Sequence, residues 1–233
     1  MAGMSVSLTS DSILDTNALL FPRTGAWGRA INGEAFQGNA IVSHDGYQYA
    51  AWYTNDQDMS VMVGRRPIGT GASAARVGLW EVVDTGFDIK HGDDTWDVHN
   101  VISIGLAKND GTLHLSWDHH VNSLNYAVSV AGLATTNKDA FGPGMFTKTS
   151  PGRLGNISVG SITYPYFVST PSGDLTFMYR NGSSGDGDYR IAQYVNGAWS
   201  SPGLFIGKGG GTYVETYPDG SRYSDQTRNG YPN

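Results

Sequence analysis

The sequence predicts an all-β fold, built as a β-propeller of four-stranded blades, and three observations carry that expectation. Glycine is abundant (32 of 233 residues), aromatics make up 12% and charged residues only 15%, which suits short strands joined by tight turns and fits poorly with helices. Turn signals recur at a long period: Asp45-Gly46, Asp110-Gly111 and Ser172-Gly173 each precede a β-forming run, and their glycines are 65 and 62 residues apart. Around each turn the same order returns, of inner strand, turn, second strand, third strand and an aromatic outer position. Four strands per unit of about 60 residues is the signature of a propeller blade. A β-sandwich would explain the strands but not their matching order.

The elements follow in sequence. In the first unit residues 39–42 form the inner strand, 47–53 the second and 60–63 the third, with Trp80 marking the outer one. In the second unit the corresponding stretches are 99–104, 112–117 and 124–128, with Phe146 outermost; in the third they are 162–168, 174–180 and 189–194, with Trp199 outermost. Residues 228–231, Arg-Asn-Gly-Tyr, read as the beginning of another unit. The expected blades are therefore roughly 25–90, 91–155 and 156–215, with the start of another over 216–233. Closed propellers typically need four to eight blades, and about three and a half would leave a sheet edge unpaired. The expectation is a portion of a protein about twice as long, able to self-associate through its exposed blade.

Composition excludes several function classes. There is no cysteine, hence no disulfide framework and no thiolate chemistry. A net charge of −6 argues against a nucleic-acid partner, which calls for a basic face. No run approaches the roughly 18 apolar residues of a membrane span. The first twenty residues lack a basic leading region and place Asp11 and Asp15 where a signal peptide is apolar.

The chemistry concentrates between Trp96 and Val121, which holds four of the six histidines. Two β-type runs flank Asn109-Asp110-Gly111, a strong hairpin signal. If Asn109 and Asp110 form the loop, paired residue numbers sum to 219 and His99 faces His120; a loop one residue different moves the partner to His119. Either way imidazoles meet at the open end of one hairpin, and imidazole is the side chain able to act as base or acid near neutral pH. A transition metal held by these histidines with Asp97 or Asp118 is an alternative use of the cluster. Other motifs are weaker. Residues 69–74 resemble a dinucleotide fingerprint without its βαβ setting, 207–212 a phosphate loop without its spacing, and Asp186 with Asp188 a calcium turn that reads better as a hairpin loop.

Several stretches together resemble the BNR-4-type repeat proteins, which include the propeller-fold ulvan lyases of polysaccharide lyase families 24 and 25. They are His-Asn-Val-Ile-Ser-Ile-Gly from His99, Asp-Gly-Thr-Leu-His-Leu-Ser-Trp-Asp-His-His from Asp110, Leu-Asn-Tyr from Leu124, Thr-Tyr-Pro-x-Phe from Thr163, and Tyr-Arg-Asn-Gly-x-Ser-Gly-x-Gly-Asp from Tyr179. The resemblance runs from about Gly25 to Asn233. It implies a seven-bladed parent that cleaves a rhamnose–uronate linkage by β-elimination, with an acidic polysaccharide as partner, no required cofactor and a secreted or periplasmic setting; a structural metal ion is the one optional addition. It further implies catalytic roles for His99, His119 (or its neighbour His120), Tyr164 and Arg180, and substrate contacts from His120 and Asn100. Tyr166 departs from the pattern, since many relatives carry arginine after Thr-Tyr-Pro.

The chemistry supports those residue types on separate grounds. Eliminating a 4-linked uronate removes the weakly acidic proton beside its carboxylate, so the carboxylate charge must be neutralised as the carbanion-like state forms. Arginine binds a carboxylate in two places and keeps its charge, and Arg180 stands at a strand end ahead of a glycine-rich loop. His99 suits the base and Tyr164 the acid at the leaving oxygen, although the face of the sugar decides which of them plays base. Two other functions compete: a sialidase-like glycoside hydrolase, for which the chain lacks the Ser-x-Asp-x-Gly-x-x-Trp boxes, and a non-catalytic propeller segment that binds glycans.

Overall fold

Each of the three predicted turns closes a hairpin. Gly46, Gly111 and Gly173 all have positive φ (76°, 66° and 92°), a region glycine enters without strain. A Cβ on Gly111 would meet Thr135 Oγ1 at 2.4 Å, so that turn has no room for another residue type. The computed structural model describes residues 12–19, 32, 39–68, 79–89, 99–183 and 186–207, and the backbone of 214–216 and 222–224. Asp97, the 69–74 loop, most of 207–212 and the unit expected to begin at 228–231 lie outside the described residues.

The chain is all-β and its sheets are antiparallel. The first contains β1 (Ile41–His44), β2 (Tyr47–Tyr53), β3 (Val61–Pro67) and β4 (Glu81–Asp84), in that order. The second is built from β5 (Ser103–Ala107), β6 (Thr112–Ser116), β8 (Tyr126–Ser129) and β9 (Phe146–Lys148). Between its middle strands the chain leaves the sheet as β7 (His120–Ser123). A two-residue pair, β10 (Arg153–Leu154) with β11 (Ile157–Ser158), precedes the third sheet. There β12 (Ser161–Ser169), β13 (Leu175–Ser183) and β14 (Asp186–Val195) run in order, and both β15 (Ala198–Trp199) and β16 (Gly203–Ile206) pair with β14. A last hairpin joins β17 (Val214–Thr216) to β18 (Arg222–Ser224). No helix among the described residues is long and apolar enough to cross a membrane.

Two expectations change. The inner strand of the second unit begins at Ser103 rather than His99, because Val101 N–H bonds back to His99 O (2.7 Å) in a tight turn that interrupts the extended backbone. The second is β7, which adds to the third sheet beside β12 instead of extending β6.

The sheets stack through two apolar layers. Tyr49, Tyr53, Val61 and Val63 of the first sheet pack with Ile104, Leu113, Leu115 and Trp117 of the second. Phe167, Phe177, Leu175 and Tyr194 of the third pack with Tyr126 and Ala107. Gly105 makes the second contact close: a Cβ there would lie 2.5 Å from Phe167 Cβ. Inner strands are tied across the stack, with Ser103 Oγ donating to Pro165 O and Ser169 Oγ to Leu106 O (both 2.7 Å). These ties place the end of β12, and the residues it carries, beside the end of β5.

Candidate active site

The β5–β6 ladder has the register expected from the sequence, Ser103↔Ser116 through Ala107↔Thr112, each pair summing to 219. The ladder stops there, yet the same arithmetic brings His99 onto His120. Their rings stack at 4.2 Å between centroids and 26° between planes. They meet across two sheets, because Asp118 (φ 63°) and Val121 (φ 62°) turn the chain away from β6 and deliver His120 to β7. Positive φ at a β-branched residue such as Val121 is strained, and the surrounding contacts must hold it.

Tyr164 reaches the same place by a different irregularity. The pairing of β12 with β13 shifts by one residue between Thr163↔Arg180 and Tyr166↔Met178, so Tyr164 and Pro165 form a bulge. Tyr164 has φ 55°, again unusual for a side chain of its size. A regular strand would send Thr163 and Tyr164 to opposite faces; the bulge turns Tyr164 back to the face of Arg180. Its ring lies 5.9 Å from that of His99 and 5.6 Å from the Arg180 guanidinium carbon. Thr163 anchors the bulge by donating to Gly182 O (2.6 Å) and accepting from Val121 N–H (3.0 Å).

Register completes the row. Thr163 pairs with His120 on one side and Arg180 on the other, and Arg180 pairs with Tyr189. The guanidinium carbon sits 4.8 Å from the Tyr189 ring centroid. Nη1 of Arg180 donates to Ser183 O at 3.4 Å, while its Nε is buried with no hydrogen-bond partner. His99, His120, Tyr164, Arg180 and Tyr189 are each half-buried, so one edge of each group is open to solvent. Tyr189 was not singled out from the sequence.

Two expected site residues lie elsewhere. His119 is fully buried, with Nδ1 2.8 Å from Asn122 Oδ1 and Nε2 accepting from Asn125 N–H (3.1 Å). It braces the 118–125 turn that presents His120. Asn100 is only 2% exposed and offers a ligand almost no surface. The fourth histidine of the stretch, His114, is buried between the second and third sheets against Tyr126 and Thr112 (2.7 and 2.8 Å), and burial lowers its pKa to about 3. Among the described residues no group of three or more His, Asp or Glu side chains is placed to hold a metal ion. Asp188 of the suggested calcium turn is paired with Arg190 at 2.9 Å.

One row of residues thus carries two imidazoles, a phenol and a guanidinium in ring contact, a set that can accept a proton, donate one and hold a carboxylate. Residues 47–230 match the BNR repeat-containing family. The chain belongs to that family. Within it, the chain is similar to the short-isoform ulvan lyase of Alteromonas sp. (strain LOR), 24% identical over 191 residues that cover 67% of this chain and 35% of the relative. It is also similar to the long-isoform ulvan lyase of Glaciecola sp. (strain KUL10), 25% identical over 186 residues covering 67% of this chain and 18% of the relative. Among solved structures, polysaccharide lyase Uly1 superposes with a TM-score of 0.64 at 23% identity, over 89% of this chain and 55% of that one. A PL25 ulvan lyase gives 0.54 at 16% identity, over 87% and 41%. The BNR chain therefore spans about a third of the short isoform and about half of the matched structures.

Proposed function

We propose that this BNR chain forms part of a polysaccharide lyase that cleaves a uronate-containing, ulvan-like glycan by β-elimination. The observation that carries the reading is the unbroken series His120–His99–Tyr164–Arg180, assembled from four separate chain segments by a register, a chain crossing and a bulge. The names of the similar proteins point to the same chemistry.

In this reading Arg180 receives the uronate carboxylate, which its permanently charged, two-pronged guanidinium suits. His99 takes the proton on the carbon beside that carboxylate. The electron pair forms the new carbon–carbon double bond as the bond to the glycosidic oxygen breaks, and the Tyr164 phenol returns a proton to that oxygen. His120 stacks on His99, fixing the plane of its ring and offering the glycan a further contact. His119 and Asn100 act from below, as supports of the turns that carry His120 and His99. The strained φ of Tyr164 fits such a task, since strain of this kind gathers where a side chain must be aimed.

The architecture is proposed on similar grounds. The two four-stranded sheets and the β12–β16 run of the third fall within 25–90, 91–155 and 156–215, which supports reading each as one propeller blade of a seven-bladed parent, with a further blade beginning at 216–233.

The test is to incubate the protein with an acidic, rhamnose-containing polysaccharide. The expected result is new ultraviolet absorbance from unsaturated uronyl ends. Reducing ends without that absorbance would replace elimination with hydrolysis, and retention on the glycan without any cleavage would leave a binding module.

A further inference from the structure

Among the described residues, Arg65, Arg190 and Arg180 each have a restrained guanidinium, and the restraints differ. Arg65, 7% exposed, lies between the Tyr47 and Phe141 rings (5.0 and 4.5 Å), but Glu81 neutralises it at 2.5 Å and Lys138 O accepts a further hydrogen bond. Arg190 is paired with Asp188 at 2.9 Å. Arg180 has the rings without the carboxylate: Tyr189 at 4.8 Å, Tyr164 at 5.6 Å, and no ion pair among the described residues. Its hydrogen bond to Ser183 O is long at 3.4 Å, and its Nε has no partner. A flexible four-bond side chain is then held in place chiefly by two aromatic faces.

We propose that Tyr189 is a positioning residue, which with Tyr164 forms an aromatic slot that fixes the Arg180 guanidinium while leaving its full charge available. The logic is electrostatic. A carboxylate would hold Arg180 more firmly, as Glu81 holds Arg65, but would cancel the charge that an incoming carboxylate needs. A ring face attracts the cation through its quadrupole and adds no net charge. Contact with the rings also limits the swing of the guanidinium, whose own planar N–H fork meets a carboxylate in bidentate geometry. Tyr189 is set for this by the β13–β14 register, which puts it directly opposite Arg180 on the same sheet face. This inference rests on the lyase reading for its ligand, but the clamp itself stands or falls independently.

The experiment follows the Arg180 Nε–H signal by NMR in the full chain, assigned by its loss in Arg180→Lys. The expected signal is displaced by ring currents and protected from exchange with solvent. Tyr189→Leu, which keeps bulk but removes the ring, collapses that displacement, and Tyr189→Phe restores it. An Arg180 signal unmoved by Tyr189→Leu, at an unchanged Tm, would overturn the proposal whatever the enzyme does. In the cleavage assay Tyr189→Leu lowers kcat/KM about tenfold, the scale of one cation–π contact, and adds nothing to Arg180→Ala. A further loss on top of Arg180→Ala would also overturn it, by showing that Tyr189 acts on its own. A wild-type protein that shows the clamped signal but releases no unsaturated product removes the lyase reading and leaves the slot standing.

Discussion

Acidification should weaken this fold well above the range where carboxylates titrate, and His114 is the reason. Its ring is fully buried between two sheets, edge-on to Tyr194 at 4.5 Å and hydrogen-bonded to Tyr126 and Thr112. Burial holds it neutral, with a pKa lowered from 6.5 to about 3, even though the charge of Asp110 acts in the opposite sense. The unfolded chain binds a proton at this histidine below pH 6.5 and the folded chain does not, so stability falls as pH falls through that window and the loss saturates near pH 3. Each pH unit is worth about 1.4 kcal/mol, giving a loss of roughly 2–3 kcal/mol by pH 4.5. Asp15 and Asp56 have lowered pKa values through hydrogen bonds from Trp52 and Ser60 that outweigh their burial; their contributions disappear only below the ordinary carboxylate range. Urea unfolding midpoints of wild type and His114→Gln between pH 7 and pH 4.5 isolate the effect. The wild type should lose stability steeply while His114→Gln, weaker at pH 7, stays nearly flat. Parallel slopes in the two proteins would show that His114 is not the cause.

Three other outcomes follow from the geometry. Arg180→Ala should lower kcat by about a hundredfold, comparable with loss of an oxyanion-hole donor, with Arg180→Lys falling between, since lysine keeps the charge but not the fork; a lowered Tm with normal kcat would make Arg180 a loop anchor. Tyr164→Gly relieves a positive φ at a bulge, so the fold should gain about 1 kcal/mol while cleavage is lost, a split that melting and activity measured side by side will reveal. Gly105→Ala pushes a methyl group to 2.5 Å from Phe167 Cβ, too near the backbone to swing aside, and should cost about 2 kcal/mol, seen as a Tm lower by roughly 4–8 °C.

Much of the architecture was legible because hairpin turns carry their own arithmetic. Gly46, Gly111 and Gly173 announced three meanders, and the Asn109-Asp110 loop gave the register that ends with His99 on His120. Departures from regular strands were not legible. Nothing in the local pattern of 117–123 shows that β7 leaves its own sheet for the next, because that pairing is set by contacts with β12, about forty residues on. The different surroundings of His119 and His120 follow from that crossing, which leaves His119 buried and His120 half-buried. The bulge at Tyr164-Pro165 had one visible signal, a proline inside a strand, which belongs at edges or bulges. Tyr189 was within reach: a register whose paired numbers sum to 369 sets it opposite Arg180, by the same arithmetic that paired the histidines. The outer strands were placed less well. Trp80 precedes β4 and stacks under Arg66 at 4.8 Å, and Trp199 lies in the short β15 while β16 extends the edge. Trp199 fills the gap between sheets, against Tyr126 and Phe167, instead of marking a strand centre.

Product mass decides whether the His99–Tyr164–Arg180 series carries out elimination. Oligosaccharides released from a rhamnose–uronate polysaccharide are collected and weighed by mass spectrometry. Elimination leaves a terminal uronate with a carbon–carbon double bond, one water lighter than the residue hydrolysis would leave. The wild-type protein should release the lighter series, and Arg180→Ala a sharply reduced yield of it; a series carrying the full water, or an Arg180→Ala protein that releases the lighter products as fast as the wild type, would rule out elimination by these residues.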